Sequence, residues 1–434
     1  LRTSVTKTID NPKQFKAQLL QWAQQYREVV FLDSNDYKQN YPSYDAVLAA
    51  DALTSIKTDY HKAFDELNTY QQTTKDWLFG YLSYDLKNDT EDLLSSNFDG
   101  LDFPDLFFFQ PKKLFLIKGN EVTIAYLNMC DDERESDFSE ITNLELRITQ
   151  LTTGGHQPLT IQQRISKENY LDKAGQMLAH IHRGDIYEAN FCMEFYAEDA
   201  VINPLDTYGK LNAISEPPFA VYFKNYKQYL LSASPERYIR KEGSKIISQP
   251  IKGTARRSTD PVEDEAIKVE LVQNEKERSE NIMIVDLVRN DLSRTAAKGS
   301  VAVEELCGAY SFKQVHHLIS TVVSELADNH TPVGVIQTTF PMGSMTGAPK
   351  ISAMQIIEKL EETRRGLYSG AVGYFTPDGD FDFNVVIRSI LYNEQNKYVS
   401  FSVGSAITAK AEPEMEYKEC LLKAKAMRSV LEGA

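Results

Sequence analysis

Glu277 and Glu280 stand three residues apart in EKERSENIMIVDLVRND, and Glu416 and Glu419 repeat that spacing in PEMEYKECLLKAKAM. On a helix, this spacing brings both carboxylates of a pair to one face. Lys423 follows one turn later on the face of the second pair. Either pair alone also reads as ordinary solvated helix charge, whereas the two together suit one hard cation. Mg²⁺ takes oxygen ligands, commonly one or two carboxylates with waters and substrate oxygens, and so fits the set better than zinc. Lys252, in QPIKGTARR, lies between a Pro-limited strand end and Gly253. It is either a plain exposed lysine or a nucleophile or base. The second role needs burial, or the neighbouring Arg256 and Arg257, to lower its pKa. Glu236 follows Pro235 at the end of the apolar run in SASPERYIR, a carboxylate held at a sheet edge or paired on the surface with Arg237.

Candidate anion binders lie further along. In TTFPMGSMTGAPK, Gly343, Ser344, Thr346 and Gly347 precede an expected helix, but Ala348 and Pro349 break the order of a nucleotide phosphate loop. What remains is a carboxylate-binding turn or a tight structural connection. Arg388 interrupts an apolar strand in FNVVIRSI, opposite Ile387. A buried arginine needs an anion from the protein or from a substrate. Tyr368, with Gly404, Ser405 and Ala406 of SVGSAIT, would complete a close-fitting carboxylate pocket. His317 in VHHLIS is either a hydrogen-bond partner for a substrate oxygen or a satisfied core histidine.

Positioning these residues requires strands and helices in mixed order. Leu171, Ala174, Met177, Leu178 and Ile181 form a helical stripe from a Ser166 cap to a Gly184 stop. Further helices are expected at 262–278, 280–290, 312–327, 350–364 and 414–430. PKKLFLIKGNEVTIAYLN reads as a hairpin about Gly119 and Asn120, and the acidic run DDERESD after it as a solvated loop. Antiparallel pairs are expected in AVYFKNYKQYLLSASPERYIRKEGSKIIS and in SGAVGYFTPDGDFDFNVVIRSILYNEQNKYVSFSVGSA. The ordering predicts an α+β fold. A connection is expected at 150–165, with 1–165 contributing scaffold and 166–434 carrying the chemistry.

Of 434 residues, 42% are hydrophobic and 25% charged, enough for a large core in a soluble protein. Lys and Arg number 47 against 62 Asp and Glu, a charge of −15 that repels nucleic acid and anionic membranes. An acidic metabolite as substrate would therefore need cations placed in its own pocket. Cys130, Cys192, Cys307 and Cys420 are too far apart for a zinc or redox pair. There is no run of ~18 apolar residues and no secretion-signal pattern at the start, so a cytoplasmic location is expected.

The blocks GDIYEANF, SPERYI, PIKGTARR, ENIMIVDLVRNDLSR, VHHLIS, PMGSMTGAPK with RRGLYSGAVGY, and VGSAIT with EPEMEYKE resemble, in order, the chorismate-utilising enzymes that include anthranilate synthase component I. FLDSNDY and FGYLSYD resemble that family's N-terminal region. The resemblance implies large, mostly antiparallel sheets packed as a sandwich with surrounding helices, and makes 166–434 the chorismate-binding catalytic region. In PIKGT the lysine is similar to that of aminodeoxychorismate synthase component I, where anthranilate-forming relatives have alanine. By resemblance Lys252 attacks C2 of chorismate as the C4 hydroxyl departs, and ammonia then adds at C4 as the lysine leaves. Glu236 is implied as general acid and base, and His317 as the family's active-site histidine. Glu277, Glu280, Glu416 and Glu419 are implied as the Mg²⁺ region. Tyr368, Arg388, Gly404 and Lys423 would hold substrate carboxylates, with Ser405 beside them and Thr254 as a further contact. Glu188 departs from the family pattern: relatives often have glutamine there, and isochorismate-forming ones a lysine that activates water. The family commonly takes ammonia from a separate glutamine amidotransferase subunit, and no glutaminase-like region accompanies these motifs. The product would precede 4-aminobenzoate in folate synthesis. The alternatives are anthranilate synthesis, or a non-catalytic subunit that binds chorismate or an amidotransferase.

Overall fold

The computed structural model describes residues 1–146 and 159–433, so the expected connection at 150–165 lies largely outside the described residues. Two antiparallel sheets share the long strands Ala46–Thr58 and Leu106–Lys118. From the shared pair the first sheet runs through Glu28–Asp33, Phe219–Asn225, Gln228–Ser234, Ser389–Asn393 and Tyr398–Thr408 to Glu188–Ala197. The second runs through Leu78–Leu82, Ala371–Phe375, Phe381–Val385, Arg237–Glu242 and Lys245–Gln249 to Val315–Glu325. Ile251–Arg256 and Ala302–Ser311 also pair with Val315–Glu325. Strands from the first 127 residues thus hydrogen-bond directly to strands beyond residue 218.

The sheets face each other across an aromatic core. Tyr81 and Phe107 of the second sheet meet Phe223 of the first at ring distances of 5.3 and 6.1 Å. Burying each such ring contributes roughly 1.5–3 kcal/mol. Helices Lys167–Arg183 and Pro413–Glu432 cover the outer face of the first sheet, through Tyr170, Met177, Cys420 and Met427. Helix Glu275–Ser293 lies on the second sheet through Ile284, Val285 and Val288. The result is an α+β fold with large antiparallel sheets and surrounding helices.

Four expectations need correcting. The segment 312–327 is not a helix, because Val315–Glu325 is a strand. Its β-branched residues suit a strand buried on both faces, and neighbours pair with both of its edges. The expected helices 262–278 and 280–290 divide differently, as Pro261–Gln273 and Glu275–Ser293, because the Asn274 side chain caps the second through the Glu277 N–H. The acidic run DDERESD is not a loop. It forms a 3₁₀ turn and the start of helix Arg134–Asn143, held by Lys113, whose buried ammonium pairs with Glu133 and Asp137. Arg388 does not sit within a strand: it occupies the break between Phe381–Val385 and Ser389–Asn393 at φ +52°.

Candidate active site

Helix Glu275–Ser293 and strand Ile251–Arg256 bring Glu277, Glu280 and Lys252 together. The Asn281 amide donates to the carbonyls of Lys252 at 2.9 Å and Leu318 at 3.2 Å, fixing helix to sheet. Glu277 and Glu416 both lie in the first turns of their helices, where the helix dipole favours a carboxylate. Lys276 bridges the helices, its ammonium 3.7 Å from Glu416 and 4.0 Å from Glu280. Burial, with Glu188 and Glu277 nearby, pushes Glu280 up to about 7. Burial also raises Glu277 and Glu416, and Glu419 adds like-charge repulsion to both. Glu419 goes the other way: burial pulls upward, but Lys423 at 2.6 Å holds its carboxyl below the usual range.

Lys252 is nearly enclosed, and its Nζ lies 2.7 Å from Oε1 of Glu188. Burial pulls its pKa down, but Glu188 and then Glu280 outweigh this and hold it above the ordinary lysine value. This corrects the expectation that Arg256 and Arg257 free the amine. Those arginines turn outward to Glu263 and Asp264. Lys252 rests as an ammonium.

Glu236 is 4% exposed and sits in the break between Gln228–Ser234 and Arg237–Glu242. The Ile251 N–H donates to its Oε1 at 3.4 Å, and Ser344 adds a side-chain hydrogen bond. Burial nevertheless pushes its pKa up to about 7. The GSMTG segment is therefore no phosphate loop. It touches the protein's own carboxyl through Ser344, and its Gly347 and Ala348 pair with Ala189 and Glu188. A Cβ on Gly347 would fall 2.1 Å from the Glu188 carbonyl oxygen, so only glycine allows this approach.

An open pocket of about 530 Å³ is lined by His317, Arg388 and Lys423, with Pro235 on its wall. The His317 Nδ1 lies 2.9 Å from Thr254 Oγ1, and burial, then Arg388, pushes the imidazole down to about 3, so it is neutral at physiological pH. Lys423 donates to the Gly404 carbonyl at 2.8 Å. A Cβ on Gly404 would fall 2.6 Å from Cys192 Sγ. Arg388 has no ion pair among the described residues and feels Tyr368 and Glu419 only electrostatically, which leaves its guanidinium open to an anion. Tyr368 is buried beside Cys192. Ser405 turns to the helical layer, its hydroxyl 3.1 Å from that of Tyr170. Sequence reasoning missed Lys276, Asn281 and the Glu188 contact to Lys252; only the three-residue step from Asn274 to Glu277, a capping pattern, signalled where the helix carrying Lys276 and Asn281 begins.

Carboxylates, a paired lysine and an open guanidinium in neighbouring elements suit an acidic substrate. The family model for chorismate binding enzymes matches residues 27–429. The chain belongs to the chorismate-binding enzyme family. It is 33% identical to aminodeoxychorismate synthase component 1 of Bacillus subtilis over 361 residues, 81% of this chain and 76% of that protein. It is 34% identical to anthranilate synthase component 1 of Thermus thermophilus over 360 residues, 82% and 77% of the two chains. The solved anthranilate synthase component I of Streptococcus pneumoniae shares its fold with a TM-score of 0.76 at 24% identity, over 90% of this chain and 94% of that one. The matched residues thus include strands of both sheets. No helix among the described residues is long and apolar enough to cross a membrane.

Proposed function

We propose that this chain is an aminodeoxychorismate synthase component I, converting chorismate and ammonia to 4-amino-4-deoxychorismate. The observation that carries this reading is Lys252: a nearly enclosed primary amine, paired with Glu188 and within the electrostatic reach of Glu236. Lys252 attacks C2 of the ring, and the C4 hydroxyl leaves as water with a proton from Glu236. Ammonia then adds at C4, gives a proton back to Glu236, and expels the lysine. Arg388 and Lys423 supply the cations that a dianion needs in an acidic chain, the Gly404 carbonyl holds Lys423 in place, and neutral His317, placed by Thr254, offers a hydrogen bond rather than a charge. Ammonia comes from a glutamine amidotransferase partner, and the product leads to 4-aminobenzoate and folate in the cytoplasm.

Glu277, Glu280, Glu416 and Glu419 would hold Mg²⁺. Their chemistry fits: four carboxylates from two helix starts, three of them raised by burial and crowding, which a cation relieves. Among the described residues no group of three such side chains is already arranged around one point, and Lys276 lies between the pairs and must swing aside. Bound there, Mg²⁺ would hold the ring carboxylate and offset its repulsion from these acids. With Glu280 near 7, the metal-free chain is about half protonated there at neutral pH, so Mg²⁺ binding is expected to release about half a proton from this group and to tighten from about pH 6 to 8. Calorimetry in buffers of different ionisation heat measures this, and a release of zero protons at pH 7 would contradict it.

Incubating the purified chain with chorismate, Mg²⁺ and ammonium, followed by mass spectrometry, tests the reading. Aminodeoxychorismate without pyruvate supports it. Fluorescent anthranilate with pyruvate would make the chain an anthranilate synthase, and unconsumed chorismate would make it a binding subunit.

A further inference from the structure

Lys252 poses a problem that the reaction must solve: an ammonium has no lone pair, yet the amine has to attack carbon. Among the described residues one carboxylate lies within hydrogen-bond reach of its Nζ, that of Glu188 at 2.7 Å. Glu236 is committed to the C4 oxygen, and Glu280 and Glu419 act on Lys252 from farther away, beside the proposed metal. Glu188 is 1% exposed, and its second oxygen, Oε2, is buried with no hydrogen-bond partner. A structural ion pair would be expected to satisfy both oxygens, because an unpaired buried carboxylate oxygen is costly. The backbone at Glu188 is fixed by its pairing with Ala348 and by the close approach of Gly347, so the carboxylate is held on a rigid strand end.

We infer that Glu188 is the proton acceptor that frees the Lys252 amine for attack and returns the proton when the lysine leaves. This rests on the covalent role proposed above for Lys252. One proton moves from Nζ to the Glu188 carboxylate, turning the ion pair into a neutral amine and a neutral acid. The amine lone pair forms the bond to C2, the ring double bonds shift, and the C4–O bond breaks with its electrons going to oxygen, which takes the Glu236 proton and departs as water. Lys252 is then a secondary ammonium on C2, Glu188 a neutral acid and Glu236 a carboxylate. When ammonia adds at C4, the C2–N bond breaks with its electrons returning to nitrogen. Glu236 takes the surplus proton from the new amine, and Glu188 reprotonates Lys252. The glutamate thus gives this chain a base at the position where relatives often carry glutamine, which cannot accept a proton.

The test follows formation of the covalent adduct by intact-protein mass spectrometry, with chorismate and Mg²⁺ but no ammonium. Wild-type protein is expected to gain the mass of chorismate less water at Lys252. Glu188→Gln keeps the volume and the hydrogen bond to Lys252, and should form the adduct about 10²–10³-fold more slowly with chorismate affinity unchanged. Formate added to Glu188→Ala should restore much of the rate by entering the vacated space. Adduct formation at the wild-type rate in Glu188→Gln would overturn the inference alone. So would a Glu188→Gln chain that melts early or no longer binds chorismate, since the pair would then be structural. A wild-type chain that forms no adduct, and whose Lys252→Ala variant still makes aminodeoxychorismate, would instead remove the covalent reading beneath it.

Discussion

Lys252→Ala is expected to lower aminodeoxychorismate formation by about 10⁴-fold or more, the upper end of what one positioned reacting group contributes. That corresponds to about 5 kcal/mol of lost barrier lowering. Chorismate affinity should change little, because Arg388 and Lys423, which line the open pocket, remain to hold the substrate carboxylates. The substitution has a second consequence, since it strands the Glu188 carboxylate at 1% exposure without its ammonium. An orphaned buried charge destabilises by about 3–5 kcal/mol unless it takes up a proton. Lys252→Ala should therefore melt early. The double variant Lys252→Ala with Glu188→Gln should regain the melting temperature and stay inactive, which separates chemistry from folding. Turnover by the folded double variant at the wild-type rate would remove the lysine from the mechanism. Anthranilate in place of aminodeoxychorismate would mean that Lys252 decides which product forms rather than how fast.

What the sequence made legible follows from how local each signal is. The helix from Ser166 to Gly184 rests on a cap, an apolar stripe and a left-handed stop, all within one segment, and the structure has it at Lys167–Arg183. The hairpins of 219–249 rest on alternation and short turns and are equally local. Val315–Glu325 was misjudged because a continuous apolar run has no period of its own; its strand character comes from partners far away in sequence. The site divides in the same way. Three-residue spacing showed that Glu277 can share a face with Glu280, and Glu416 with Glu419. Nothing in that spacing showed Lys276 lying between the pairs, because the contact to Glu416 joins residues 140 apart. Glu188 stands out in the sequence only as a departure from its relatives, and its contact to Lys252 joins strands 64 residues apart. The apolar run around Arg388 shows a cation that needs an anion from the protein or a substrate, but its place between two strands, with positive φ, depends on how those strands part.

Glu236→Gln should lower kcat by about 10²–10⁴-fold, the usual contribution of a positioned proton donor. The amide keeps the hydrogen bond from Ile251 but has no proton to give the departing hydroxyl. Burial holds the native carboxyl at about 7, above the ordinary glutamate value, so the acid form required for the first step is the major species below neutrality. The sign follows: kcat/KM should be flat on the acid side and fall about tenfold per pH unit above about 7. Glu280 titrates in the same range but acts in the opposite sense, because metal binding needs it ionised. At low Mg²⁺ the two give a bell, rising as Glu280 loses its proton and falling as Glu236 does. Saturating Mg²⁺ should keep Glu280 ionised and remove the rising limb, leaving the fall alone. His317, pushed down to about 3, contributes no limb in this window. The falling limb must therefore vanish from the residual activity of Glu236→Gln at saturating Mg²⁺. If that limb persists in the variant, the proton reaching the C4 hydroxyl comes from another group, and Glu236 serves only to shape the pocket.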